Sequence, residues 1–346
     1  MSSLVGCAEN DLRGEPMPKG ILKRLSEGVV LGDGGYLLEL ERRGYVQAGP
    51  FVPEVSLTRP EALAELHREF VRAGAEVIQT LTFYASEDKL ATVGLEGRVD
   101  DMNHAAVRIA REVADEASGD VLVAGNLSCT WAYDPEDPAS HRHVREMFDR
   151  QLATMTDGGV EFVIAETFNW LGEALIAAEA IKAAGLPAMV TMAPDNDPNS
   201  FEGYTPGECA RRLAEAGVEI VGVNCLRAPE HTLPVMEEMR SAVSDVYLAA
   251  QPVAFHGHNH QPNFVSLPEF PYELEKIQLP RAAMADFAVK ARDMGYDYIG
   301  SCCGSVAAHV RAMAEALGKR SGEVREWRTP TDKPMSGYEL HRMQNG

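Results

Sequence analysis

Apolar positions along this chain alternate between two patterns. Short runs rich in Val, Ile and small apolar residues occur at Val29–Leu31, Val77–Thr82, Val121–Asn126, Phe162–Glu166, Ala188–Met192, Ile220–Asn224, Val246–Gln251 and Tyr298–Ser301. Several are apolar nearly throughout, as expected for parallel strands covered on both faces. Between them lie amphipathic stretches that predict helices at Pro60–Ala73, Arg98–Ala117, His141–Asp157, Leu171–Ala184, Pro206–Ala216, Leu233–Val243, Pro280–Met294 and Val306–Leu317. Pro60 sits where a helix accepts proline, in the first turn, and Gly74 follows the last apolar position. The glycines at 74, 185, 217, 295 and 318 all fall where a helix would need a left-handed residue to stop.

Eight strand–helix units spread over about 300 residues predict an α/β fold of the (β/α)8 barrel type. A doubly wound open sheet is the alternative. No glycine-rich GxGxxG turn follows the first strand, which speaks against a dinucleotide-binding fold. No shift in composition marks a second domain. The expected division is an N-terminal segment at 1–20, a barrel at 21–319 and a C-terminal extension at 320–346, read as an arm or packing segment. The longest interruption, His256–Leu279, follows the seventh strand and has the length of an active-site loop.

Composition narrows the function classes. The chain has 346 residues, 24% of them charged, and a formal net charge of −20. Such acidity argues against nucleic acid and against anionic membrane surfaces, both of which need clustered Lys and Arg. No apolar run is long enough to span a bilayer, and the polar start of the chain lacks the apolar core of a signal peptide. Six cysteines in a chain of this size do not make a disulfide framework, so a reducing cytoplasm is the expected compartment.

The cysteines bring in chemistry. Cys302 and Cys303 are adjacent in Gly300-Ser301-Cys302-Cys303-Gly304, and Cys225 closes the sixth apolar run. Neighbouring cysteines rarely join each other, because the ring is strained. In a barrel the ends of strands six and eight lie on the same side of the ring, where catalytic residues gather. Three thiols there suit one soft cation, zinc, with a position left open; the alternative is three packed core cysteines. The other strand ends offer Asp33, Thr82 to Tyr84, Asn126, Glu166, Asn224 and Gln251. Cys7, Cys129 and Cys209 read as ordinary thiols. The histidines of His256-Gly257-His258-Asn259-His260 alternate with no carboxylate close by, and read as loop residues rather than a second metal site.

The chain resembles the zinc-dependent homocysteine S-methyltransferases, most closely their betaine–homocysteine branch. The matching stretches are Gly32-Asp33-Gly34-Gly35 with the run from Glu39 to Gly44, the run from Gln79 to Leu90, Ile164-Ala165-Glu166, Gly222-Val223-Asn224-Cys225, the run from Leu267 to Pro271, and the vicinal cysteine motif. They span about residues 20 to 318. The resemblance implies a zinc ion held by Cys225, Cys302 and Cys303, with homocysteine and a small methylated onium compound as partners. It also implies that Asp33 and Glu166 grip the amino acid's ammonium group and that the Gly34-Gly35 amides receive its carboxylate. Asn224 is placed to orient a hydrogen bond beside the thiolate, or to serve as a strand-end turn residue. Glu166, Tyr84 and Asp33 are the candidate catalytic side chains, and Phe51, Phe83 and Tyr84 the candidate donor-side aromatics.

The sequence departs from the betaine pattern twice: Phe51 stands where that branch has Trp, and Thr167 follows the glutamate where it has Tyr. The donor is therefore open among glycine betaine, dimethylsulfoniopropionate, another N-methylated betaine and S-methylmethionine. Another thiol or selenol acceptor, or a thiol sensor without turnover, are the competing readings. The tail is shorter than in the betaine branch, which leaves homo-oligomerisation as a possibility of the family.

Overall fold

The computed structural model describes residues 20–46, 53–117, 120–319, 341, 342 and 344. Phe51, Cys7, most of the expected N-terminal segment and most of the C-terminal extension lie outside these.

Eight parallel strands alternate with helices around a barrel: β1 (Val30–Leu31), β2 (Val77–Gln79), β3 (Leu122–Ser128), β4 (Phe162–Phe168), β5 (Ala188–Met192), β6 (Ile220–Asn224), β7 (Tyr247–Gln251) and β8 (Tyr298–Ile299). The hydrogen-bonded order runs β1-β8-β7-β6-β5-β4-β3-β2. Between β1 and β2 the ring is joined by fewer backbone bonds. Glu76 N donates to the Leu31 carbonyl at 2.8 Å. Carboxylates supply the rest, with Leu31 N on Glu76 Oε2 at 2.9 Å and Gln79 N on Asp33 Oδ2 at 2.8 Å.

The first of those side-chain bonds belongs to a repeated device. Gly74-Ala75-Glu76, Gly159-Val160-Glu161, Gly217-Val218-Glu219 and Gly295-Tyr296-Asp297 lead into the four even-numbered strands. Each glycine is left-handed and stops the preceding helix. Each acid then accepts a backbone N–H from the preceding odd strand: Leu31, Val123 at 2.7 Å, Ala188 at 2.9 Å and Leu248 at 2.8 Å. Sequence reading identified Gly74, Gly217 and Gly295 as helix stops and passed over the acid two residues later.

Inside the barrel, Val30, Val77, Leu122, Ala124, Phe162, Ile164, Met189, Ile220, Ala249 and Tyr298 pack together. Ile21 and Leu25 of the helix Ile21–Glu27 join them and close the barrel's N-terminal end. A larger apolar layer lies between the strands and the outer helices. No described helix is long and apolar enough to cross a membrane.

The expected elements are all present, with shifted ends. The third strand runs on to Ser128 and the fourth to Phe168, while the second stops at Gln79 and the eighth at Ile299. The helix expected from His141 begins at Pro138, because Asp137 Oδ1 accepts the Ala139 N–H as an N-cap. The helix expected from Leu233 begins at Pro229 and carries Pro234 inside it.

Candidate active site

The C-terminal ends of the strands surround a cavity of about 250 Å3. On one side stand the thiols. Cys225 follows β6 in left-handed backbone (φ 57°), as does Leu226 (φ 55°). The Cys225 N–H donates to the Gln251 carbonyl at 2.9 Å, and the Arg227 N–H returns to the Cys225 carbonyl at 2.6 Å. The buried Arg227 side chain donates to the carbonyls of Pro194, Asp195 and Asn196, which fixes this tight turn. Cys302 and Cys303 follow β8 and are held by the next loop over, through Cys302 N to Pro252 O and Ala254 N to Cys303 O, both 2.9 Å. The loop after β1 crosses so close that a Cβ on Gly35 would stand 2.8 Å from the Cys302 carbonyl.

The three sulfurs lie within 4.8 Å of one another, and Cys225 Sγ and Cys303 Sγ are 3.6 Å apart. Tetrahedral zinc with bonds of about 2.3 Å sets its sulfurs about 3.8 Å apart, so the donor set and its spacing fit that ion. Among the described residues this is the one such cluster of ligating side chains. Hydrogen bonds from Cys302 and Cys303 hold the Cys225 thiol well below its usual range, and the same bonds push both partners up. His256, His258 and His260 are exposed loop residues.

A belt of polar side chains crosses the floor. Glu166 Oε1 accepts from Asn126 Nδ2 at 2.7 Å and Oε2 from Asn224 Nδ2 at 3.0 Å. Asn126 also donates to Gln79 Oε1 at 2.7 Å. Gln79 donates its backbone N–H to Asp33 Oδ2 and its side-chain amide to Oδ1 at 3.2 Å. Tyr36 Oη donates to Asp33 Oδ2 at 2.5 Å and faces His67 Nδ1 at 2.9 Å. Burial lifts Glu166 to about 8 and Asp33 to about 6, against the hydrogen bonds each receives.

Three expectations change here. Asp33 is fully buried behind Gln79, which lines the cavity in its place. The Gly35 N–H is spent on the Ser305 carbonyl at 3.1 Å, so Gly35 gives close approach to Cys302 rather than a free donor. Asn224 bonds no sulfur. Its amide bonds Glu166, the Thr167 hydroxyl at 2.7 Å and N–H at 2.8 Å, and the Thr191 hydroxyl at 2.8 Å. Those bonds hold Thr167 at φ 66°, a strained value for a β-branched residue, where the β4 register shifts against β5. The resulting bulge re-aims the strand end at the cavity.

The cavity also has an apolar wall of Phe83, Tyr84, Leu226, Phe264, Val265 and Phe270, of which Leu226, Phe264 and Phe270 pack in one cluster with the three cysteines; Gly34 and Thr167 are also on the lining. The Phe83 and Tyr84 ring centroids are 4.6 Å apart. Phe51 lies outside the described residues. Sequence reading missed Tyr36, Gln79, Lys89 and the Phe264–Phe270 wall. Tyr36 lies three residues after Asp33, and Gln79, Lys89 and Phe270 lie inside stretches already quoted, but their roles rest on contacts that join segments far apart in the chain.

The profile of the family described as Homocysteine S-methyltransferase matches residues 30–317. Betaine–homocysteine S-methyltransferase 1 of Bos taurus is 44% identical over 323 residues, covering 89% of this chain and 77% of its own. S-methylmethionine–homocysteine S-methyltransferase BHMT2 of Pongo abelii is 42% identical over 312 residues, covering 88% and 83%. The metallated form of the homocysteine methyltransferase MmuM from Escherichia coli superposes with a TM-score of 0.68 at 21% identity, covering 84% of this chain and 98% of that one, a likeness of fold. The thiol cluster, the barrel and these likenesses agree, and the chain belongs to the homocysteine S-methyltransferase family.

Proposed function

We propose that this protein transfers a methyl group from a small onium donor to the sulfur of homocysteine, giving methionine and the demethylated donor. The observation that carries this reading is the juxtaposition in one cavity of three convergent thiols, a buried carboxyl and an aromatic wall.

The floor supports a grip on an amino acid. In the ionised form each Glu166 oxygen accepts one amide hydrogen and keeps a lone pair, which suits an ammonium group, and a bound ammonium favours that form over the protonated one that burial favours in the empty cavity. Asn126 and Asn224 hold that carboxyl in one orientation, Gln79 in turn accepts from Asn126, and Asp33 stands behind Gln79. The chain of hydrogen bonds fixes the acceptor's position relative to the thiols. Zinc, when bound by Cys225, Cys302 and Cys303, supplies the positive charge that keeps a substrate thiol deprotonated near neutral pH.

The aromatic wall excludes water from the methyl group. A thiolate and an onium centre become a thioether and a neutral amine or sulfide, so charge disappears along the reaction. An apolar wall favours that change over its reverse. The relatives' names support betaine or sulfonium donors.

The test is methionine formation from homocysteine with glycine betaine, dimethylsulfoniopropionate, S-methylmethionine or methyltetrahydrofolate. Turnover with an onium donor, lost on chelation and restored by zinc, is expected. Zinc-loaded protein that is silent with every donor would refute the proposal.

A further inference from the structure

The donor-side rings already hold a cation that belongs to the protein. Lys89 lies in the short helix Glu87–Ala91, with 1% of its side chain exposed. Its Nζ stands 4.0 Å from the centroid of Tyr84, 5.5 Å from Trp131 and 5.6 Å from Phe83. It donates to Ser128 Oγ at 3.2 Å and to the Cys129 carbonyl. Ser128 Oγ in turn donates to the Phe83 carbonyl. Among the described residues no carboxylate makes an ion pair with the ammonium: Asp88 accepts from Ser86 Oγ at 2.6 Å and Trp131 N at 2.7 Å, and Glu173 accepts from Thr130, and both act on Lys89 only at longer range, opposing the burial that disfavours its charge. The ammonium is therefore met by ring faces and dipoles.

Phe83 and Tyr84 line the cavity, while Lys89 stands behind them. We propose that Lys89 is a specificity-determining residue that makes the donor side favour onium compounds of zero net charge over donors of net positive charge. This rests on the methyl-transfer reading of the cavity. The physical reason is that a ring attracts a cation through its quadrupole, and here one cation is already seated. A second cation at the cavity side of the same rings meets the field of the first, little screened because both are out of water. A carboxylate a few bonds from the onium centre feels the same field as attraction and offsets the repulsion. In S-methylmethionine the carboxylate and ammonium share one carbon and nearly cancel, so the sulfonium's repulsion stands alone.

The experiment compares glycine betaine with S-methylmethionine on the full-length, zinc-loaded protein, as wild type, Lys89→Met and Lys89→Arg. Lys89→Met is expected to shift the ratio of kcat/KM values at least tenfold towards S-methylmethionine, chiefly through donor KM, with homocysteine KM unchanged. Lys89→Arg is expected to keep the wild-type ratio within threefold. Equal changes for both donors, or an Arg variant that behaves like the Met variant, would overturn the proposal in favour of plain packing. If Lys89→Met does not fold, competition on the wild type still decides. The probe is 3,3-dimethylbutanoate, which carries a neutral tert-butyl group where betaine has its onium centre. Affinity within threefold of betaine supports the charge filter, and affinity more than thirtyfold weaker overturns it. Wild-type protein that moves no methyl group from these two donors or from dimethylsulfoniopropionate would instead defeat the functional reading, while the binding comparison would still report on Lys89.

Discussion

The two sides of the cavity are built by different means. The side proposed for the acceptor stands on strand ends: Asp33, Gln79, Asn126, Glu166, Asn224 and the cysteines follow one strand after another, the polar belt tied by short hydrogen bonds. The side proposed for the donor is made from loops after β2, β3 and β7, and its rings are held by packing, by Lys89, by the Phe255–Phe264 stack and by the edge of Phe270 on Phe264. The acceptor is an amino acid with fixed charges, which rigid polar positions recognise well. The donor offers methyl groups and diffuse charge, which shape and field recognise. Change of substrate within such a scaffold is therefore easier on the loop side, where replacing one side chain breaks no strand register.

The comparison breaks most severely at the thiols. Cys302→Ala should lower methyl transfer by roughly a thousandfold or more, about 4 kcal/mol of transition-state stabilisation, and should abolish stoichiometric zinc by metal analysis. Activity within tenfold of wild type would rule out the three-thiol centre.

Next in size is the floor. Glu166→Gln removes a charge-assisted contact, for which roughly 1.5–3 kcal/mol is typical. Homocysteine KM should rise about ten- to a hundredfold while donor KM changes less than threefold. A rise shared equally by both substrates would erase the division between the two sides.

The smallest effect concerns how the donor side is held down. Glu173 is buried beneath the loop after β3, accepting from the Thr130 N–H and hydroxyl, both at 2.6 Å. Burial lifts it from 4.5 to about 7. The folded state therefore keeps a proton that the unfolded chain releases. Its contribution to stability is whole below about pH 4.5 and is lost as pH rises towards 7, at most about 1.4 kcal/mol per pH unit. Thermal midpoints measured from pH 5 to 7.5 should fall more steeply for wild type than for Glu173→Gln. Asp33, raised to about 6, gives a similar slope that both proteins share. Parallel curves would show that Glu173 is ionised throughout.

Much of this was legible beforehand because it is local. Strand runs, helix periods and the glycines at 74, 185, 217, 295 and 318 depend on neighbouring residues, and each of those glycines is left-handed in the structure. The cysteines were legible because barrel topology puts the ends of β6 and β8 on one face, so that three sequence positions imply one place. Less visible was what stands between a side chain and the cavity. Asp33 was read as a substrate ligand, and nothing in the sequence showed that Gln79, 46 residues on, bonds its carboxylate. Gly35 looked like a free amide until Ser305 was found using it. Lys89 looked like any helix lysine in an acidic chain.

By itself, then, the sequence determined the barrel, the thiol centre and the family, since periodicity, helix stops and adjacent cysteines act over a few residues or through a fixed topology. Only the tertiary structure decided which polar groups are spent on each other and which remain for a substrate. That depends on contacts between segments some 40 to 270 residues apart, such as Lys89 with Ser128 and Ser301 with Asp33. Burial favours each such pairing, because a buried polar group without a partner costs about 1–3 kcal/mol.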